Sequence, residues 1–191
     1  LGKRGLRLSA LRPELLDTQL AALAAAAKAT MADVKVMAPM VATPEEAAWF
    51  ARRVREHGLP SVGVMIEVPG AALLAGHVLA DVDFGSLGTN DLAQYTMAAD
   101  RMSAELATLT DPWQPGVLTL IGMTGRAGQA VGKPVGVCGE AAADPLLACV
   151  LVGLGVTSLS AASAAVTAVG AKVASVTADQ CRDAADAVLR T

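Results

Sequence analysis

Four places in this sequence combine residue types that can do chemistry. Glu67 ends the run Val62-Gly-Val-Met-Ile-Glu67, and Asn90 and Asp91 follow Phe84-Gly-Ser-Leu-Gly-Thr89. Cys138, Gly139 and Glu140 follow Val135-Gly-Val137, and Arg4 and Arg7 stand close to the start. Glu67 and Asp91 could share a divalent ion, because magnesium takes hard oxygen ligands from one or two carboxylates and lets substrate oxygens complete its shell. The plainer alternative is that Glu67 caps a helix and Asp91 pairs with an arginine. Arg4, Arg7 and Arg101 are candidate anion clamps, since the planar guanidinium fork matches carboxylate and phosphate oxygens. Arg101 gains weight from its place shortly after the Asn90-Asp91 turn. An unperturbed thiol is mostly protonated at neutral pH, so Cys138 can act as a proton donor as well as a nucleophile, or be structural.

Other reactive residue types fit packing better. Cys149 and Cys181 fall in helical segments and read as core residues. His57 and His77 have no motif around them, and Trp49, Trp113 and Tyr95 read as packing residues rather than a stacking platform.

The elements that must position these residues follow from periodicity. Short apolar runs at Val34–Pro39, Ser61–Glu67, Val82–Gly88, Val135–Cys138 and Thr157–Ser160 read as buried strands. Helical spacing predicts helices over Leu15–Lys28, from Thr43 to His57, from about Ala71 to Leu79, over Pro115–Val131 and Asp144–Gly153, and at the end of the chain. Thr43-Pro-Glu-Glu is a helix start, with a capping hydroxyl, proline at the first position and acids in the first turn. The stretch from Gly88 to Asp111 reads as less regular.

Strands alternating with helices over short connections imply a parallel α/β sheet. A doubly wound sheet and a (β/α)8 TIM barrel both fit, and five strands are too few to close a barrel. No Gly-x-Gly-x-x-Gly turn follows a strand, which weakens a dinucleotide-binding reading. The polar residues that interrupt the strands sit at carboxyl ends, the rim on which barrels of this kind carry their active sites.

Composition narrows the classes further. The chain has 191 residues, 53% of them hydrophobic but only 3% aromatic, so its core is built from small side chains. The formal net charge is −3 with no Lys/Arg stripe, which argues against nucleic acid or an anionic membrane as partner. The longest apolar stretches, such as Leu146–Leu154, fall well short of the roughly 20 residues that span a bilayer. Lys3, Arg4 and Arg7 interrupt the amino end, which does not look like a signal peptide. Three cysteines spaced for neither a disulfide framework nor a zinc site point to a reducing, cytoplasmic setting. The chain opens without methionine, inside a motif, and is expected to be a fragment forming one partial domain over residues 1–191.

Taken together, these motifs resemble those of the phosphoenolpyruvate-utilising enzymes. Gly63-Val-Met-Ile-Glu67-Val-Pro69 is similar to the metal-ligand strand of that family, and Gly88-Thr-Asn90-Asp91-Leu-Ala-Gln94-Tyr95-Thr96 with Ala99-Asp100-Arg101 is similar to its signature. Gly136-Val-Cys138-Gly139-Glu140 resembles its catalytic-cysteine segment, and Leu1-Gly-Lys-Arg4-Gly-Leu-Arg7 its substrate-arginine motif. Order and spacing agree over nearly the whole chain. Gln-Tyr-Thr-x-Ala-x-Asp-Arg101 and Asp111-Pro-Trp-Gln-Pro115 look most like the enzyme I branch, the phosphoenolpyruvate–protein phosphotransferases; pyruvate phosphate dikinase and phosphoenolpyruvate synthase are the neighbouring branches. Val68 departs from the pattern, standing where threonine is common.

The resemblance implies an incomplete (β/α)8 barrel of about five parallel strands, lacking the first strands and the histidine domain. It implies Mg2+ on Glu67 and Asp91, substrate binding by Arg4, Asn90, Asp91 and Arg101, and Cys138 as the acid that protonates the enolate of pyruvate. Phosphoenolpyruvate would pass its phosphoryl group to a histidine of the missing domain, and from there to a phosphocarrier protein for sugar uptake. A homodimer is expected, together with self-association through the unpaired strand edge. The rivals are a magnesium-dependent aldolase and a non-catalytic dimerisation module.

Overall fold

The computed structural model describes residues 2–190, so Leu1, where the arginine motif opens, and Thr191 lie outside the described residues. Two helices come first, α1 (Leu6–Leu11) and α2 (Pro13–Ala29), followed by strand β1 (Lys35–Ala38) and helix α3 (Pro44–Glu56). Then come β2 (Ser61–Ile66), the short helices α4 (Pro69–Leu73) and α5 (Ala75–Val78), β3 (Phe84–Gly88) and α6 (Thr89–Met97). The chain continues through α7 (Pro115–Val131), β4 (Val135–Cys138), α8 (Pro145–Gly153) and β5 (Ser158–Ser160), and closes with α9 (Ser163–Ala174) and α10 (Ala178–Leu189).

The five strands form one sheet in the order β1-β2-β3-β4-β5, and each neighbouring pair is parallel. This order settles what the sequence left open. Parallel crossovers are right-handed almost without exception, so strands that advance in one direction keep every connecting helix on one face. A doubly wound sheet must reverse its order at a switch point, and this one does not.

Burial follows the same asymmetry. Val62, Val64, Ile66, Leu87, Val135 and Val137 point into the helical layer and are buried. Their alternates Met65, Phe84, Ser86, Gly136 and Cys138 face the other side and are half-buried. The sheet is an open arc of a barrel, with β1 and β5 as its edges.

Local chemistry explains most element boundaries. Thr43 and Glu46 form a reciprocal capping box at the start of α3, and Asp144 accepts two N–H groups at the start of α8. The predicted helix over 71–79 is broken at Leu74, whose ψ of 23° takes it out of helical geometry. The stretch expected to be irregular after Gly88 begins with a regular helix, α6.

Close packing of α8 on α10 rests on Gly153, where a Cβ would collide with the Cys181 carbonyl oxygen. Gly153→Ala is expected to destabilise the fold by about 1–3 kcal/mol through overpacking. Gly170, in α9, has open space where a Cβ would stand, with nothing within 4 Å, and Gly170→Ala should stabilise by about 0.5–1 kcal/mol. Denaturant midpoints of the two variants should therefore move in opposite directions.

Candidate active site

Glu67 follows β2 directly and is only 4% exposed. Its Oε1 accepts the backbone N–H of Met40 at 2.7 Å. That N–H is aimed by an uncommon backbone, since Met40 has φ 53°, in the left-handed region. Gly88 makes room on the other side: a Cβ there would lie 2.5 Å from Glu67 Oε2. Burial raises the pKa of Glu67 and the charge of Asp91 raises it further, while the Met40 N–H and the charge of Arg101 oppose the shift. Glu67 caps no helix; Val68 is the residue before α4, and no side chain caps it.

Asp91 lies in the first turn of α6, with its Oδ1 3.9 Å from Nε of Arg101. Arg101 is held in turn through its backbone, whose N–H donates to Gln94 Oε1 at 3.1 Å. The plainer alternative for Asp91, an arginine partner, is therefore present alongside its electrostatic contact with Glu67. Asn90 Oδ1 accepts the N–H of Glu140 at 3.2 Å, and the Thr89 hydroxyl donates to the Cys138 carbonyl at 2.8 Å. These two bonds join the start of α6 to the end of β4. Gly139, with φ 95°, lets the chain pass; a Cβ there would lie 2.8 Å from Asn90 Oδ1.

Cys138 faces the open side of the sheet, opposite Gly88 in register. Its thiol donates to the Leu87 carbonyl at 3.4 Å, and Ser86 Oγ donates to its sulfur at 3.7 Å. Cys149 and Cys181 are buried, as expected of core residues, and burial together with the neighbouring Cys149 pushes the Cys181 thiol up.

Glu67, Asn90, Asp91, Arg101 and Cys138 thus gather around the ends of β2, β3 and β4. Arg4 stands apart. Its Nη1 donates to the hydroxyl of Tyr95 at 3.0 Å, and it lines a cavity of about 200 Å³ with Arg7, Met40, Val68 and Tyr95. Arg7 also pairs with Glu46 at 3.5 Å. Asn90 and Arg101 line a different cavity, of about 570 Å³, whose wall includes Trp113, Glu140 and Asp144. Tyr95 and Trp113, read from the sequence as packing residues, both make side-chain hydrogen bonds at these cavities. Only their polar ends, which favour a partner when buried, signalled this.

Among the described residues no three His, Cys, Asp or Glu side chains cluster as a metal cage. Two carboxylates, one of them buried beside the other's charge, are nevertheless a donor set that suits magnesium, which fills its remaining positions with substrate oxygens and water. A cation there would offset the burial that raises Glu67 and the smaller repulsion from Asp91. No helix among the described residues is long and apolar enough to cross a membrane.

Residues 1–178 match the family described as PEP-utilising enzyme, PEP-binding domain. The phosphoenolpyruvate-protein phosphotransferase of Streptomyces coelicolor is 55% identical over 188 residues, covering 98% of this chain and 34% of that protein. The protein of the same name from Haloferax volcanii is 42% identical over 204 residues, covering 100% of this chain and 36% of its own. The chain therefore spans about a third of the length of these relatives. A citrate lyase from Burkholderia xenovorans shares the fold, with a TM-score of 0.55 at 19% identity over 73% of this chain and 48% of the lyase.

The raised Glu67 carboxyl gives a pH test. A carboxyl raised in the folded state binds its proton more tightly folded than unfolded. Its stabilising contribution is full below the ordinary glutamate range and is lost as pH rises through the raised value. Glu67→Gln keeps an acceptor for the Met40 N–H and removes the charge. Without divalent metal it should raise the denaturant midpoint at about pH 7, with the gain shrinking towards about pH 4. Equal midpoints at both pH values would contradict this account of Glu67.

Proposed function

The chain belongs to the phosphoenolpyruvate-utilising enzymes, as their phosphoenolpyruvate-binding domain, and we propose that it serves as that domain in a phosphoenolpyruvate–protein phosphotransferase. One observation carries the reading: two carboxylates, an asparagine, an arginine and a thiol converge on the ends of three adjacent strands. The names of the relatives, at 55% and 42% identity across the chain, favour this branch over the dikinases and synthases.

In this reading Glu67 and Asp91 hold Mg2+, which would neutralise charge on the phosphate and the developing enolate. Arg101 and Asn90 hold the substrate's anionic oxygens from the larger cavity, and Arg4 reaches them from its place beside Tyr95. Phosphoryl transfer is mostly positioning and charge neutralisation, so fixed cations and amide dipoles are what the step requires. The bond from phosphorus to the enol oxygen breaks as a histidine nitrogen, on another domain of the complete enzyme, takes the phosphoryl group. The electron pair left on oxygen forms the enolate of pyruvate. Its methylene carbon then takes the proton of Cys138, giving pyruvate and a thiolate that regains its proton from water.

The phosphohistidine would go on to load a small phosphocarrier protein. The complete enzyme should form a homodimer, and in the isolated chain the edges β1 and β5 offer unpaired backbone to a second copy. Self-association of the isolated chain should appear in sedimentation as concentration rises, and a monomer at every concentration would refute it.

The complete enzyme, incubated with phosphate-labelled phosphoenolpyruvate and magnesium but no nucleotide, should take up acid-labile label and pass it to a carrier protein. Passage to a nucleotide or to water instead would favour a dikinase or synthase, and no labelling would defeat the reading. Cys138→Ala should abolish net formation of pyruvate while leaving phosphoenolpyruvate binding within about twofold. Loss of binding in that variant would remove Cys138 from the role of acid.

A further inference from the structure

Arg101 is carried by a long connection, residues 98–114, that leaves α6 and returns to α7. The connection leaves α6 through Ala98, a left-handed residue with φ 51°, and is fastened there by the Arg101 N–H on Gln94. At its far end Asp111 Oδ1 accepts the Trp113 N–H at 2.9 Å. Between these ends it forms one wall of the cavity of about 570 Å³.

Another wall is formed by Glu140 and Asp144, at the two ends of the 3-10 turn segment that follows Cys138, together with Thr89 and Asn90. One side-chain bond joins the two walls: Trp113 Nε1 donates to Asp144 Oδ2 at 3.1 Å. The other oxygen of Asp144 is committed elsewhere, since Oδ1 accepts the N–H groups of Leu146 at 2.8 Å and Leu147 at 3.2 Å and so caps α8. The carboxylate therefore does two separable things, one with each oxygen. The cap belongs to folding. The bond to Trp113 adds nothing to a helix, but it fixes the connection that carries Arg101 against the segment that carries Cys138.

We propose that Trp113 and Asp144 are positioning residues for phosphoenolpyruvate: their bond holds the Arg101 connection over the cavity at the separation the substrate needs. Neither side chain has to touch the reacting atoms. The inference rests on the functional reading above, because it presumes that the anion gripped by Arg101 is phosphoenolpyruvate.

Asp144→Asn separates the two roles. Asparagine is as good a helix cap as aspartate. With its oxygen held by the two helix amides, its NH2 group faces the indole N–H, and two donors cannot bond. Trp113→Phe removes the same bond from the other side while keeping a ring in the wall. In the complete enzyme with magnesium, each variant should weaken phosphoenolpyruvate binding, measured calorimetrically as Kd, by about two- to tenfold, the range for one lost hydrogen bond. Asp144→Asn keeps the helix cap, so its unfolding midpoint should fall no further than that of Trp113→Phe, which loses the same bond. The double variant should bind no more weakly than the poorer single variant, because both remove one shared interaction.

Unchanged Kd in both single variants overturns the inference and leaves the function standing. So do effects that add in the double variant, or an Asp144→Asn midpoint that falls well below that of Trp113→Phe. An unmodified enzyme that does not bind phosphoenolpyruvate overturns the functional reading, and this inference with it.

Discussion

The arrangement depends on one buried negative charge. Glu67 is taken almost wholly out of water at the end of a strand, and a carboxylate in that position is costly unless hydrogen-bonded and paired. Its surroundings go only part of the way. Met40 supplies one neutral donor, Arg101 supplies an attractive charge at the edge, and Asp91 adds a repulsive one. Several otherwise unrelated features follow from keeping this carboxylate in place. Met40 adopts a left-handed backbone, which costs a non-glycine residue of order 1–3 kcal/mol, and that geometry directs its N–H at Glu67. Gly5 packs so closely on Met40 that a Cβ would lie 2.5 Å from the Met40 Cβ. Gly88 leaves space for the second carboxylate oxygen. Strain and missing side chains cluster around one acid that the protein alone leaves under-compensated. The proposed divalent cation is the partner such an environment lacks.

The open barrel turns that local feature into a site. Because all five strands run the same way and advance in one direction, every carboxyl end lies on one rim and the helices that connect the strands lie on one face. The residues that can do chemistry then need only sit at strand ends to meet. Hydrogen bonds across the rim hold the parts in register: Thr89 on the Cys138 carbonyl, and Asn90 on the Glu140 N–H. The inner face is lined with small residues where the strands crowd. Gly63 is one, since a Cβ there would run into the ring of Phe84 on the neighbouring strand.

What the sequence disclosed follows the same division. Val62–Ile66 and Val135–Cys138 are legible as strands because valine-rich runs buried on the helical side leave a strong pattern, and Thr43-Pro-Glu-Glu46 announces its helix by capping chemistry. Helix α6 escapes a reading of the sequence because it begins with Thr-Asn-Asp and has no capping side chain, so its first turn reads as a loop; tertiary bonds from Thr89 and Asn90 hold it instead. The break at Leu74 has no proline to mark it, and the nearest glycine, Gly76, stands two residues beyond it. Glu67, Asp91 and Cys138 can be placed on one rim from position in the strands, but their roles come from resemblance to a family. That Arg4 and Arg101 line different cavities is not legible, because spacing along the chain does not place Arg4 on the Tyr95 hydroxyl.

The setting of Cys138 bears on whether the residue acts as an acid or as a nucleophile. A carbonyl oxygen can only accept a hydrogen bond, so the contact with Leu87 exists while the sulfur carries its proton. Activated thiolate nucleophiles sit beside a histidine, a lysine or a helix start. Here the hydrogen-bond partners are a carbonyl and the hydroxyl of Ser86. In the proposed reaction the proton leaves for the substrate's methylene carbon. The sulfur is then a thiolate facing the negative end of the Leu87 carbonyl, with the Ser86 hydroxyl as its remaining donor. A group held in this way is better suited to giving a proton once per cycle and recovering it than to forming a covalent bond.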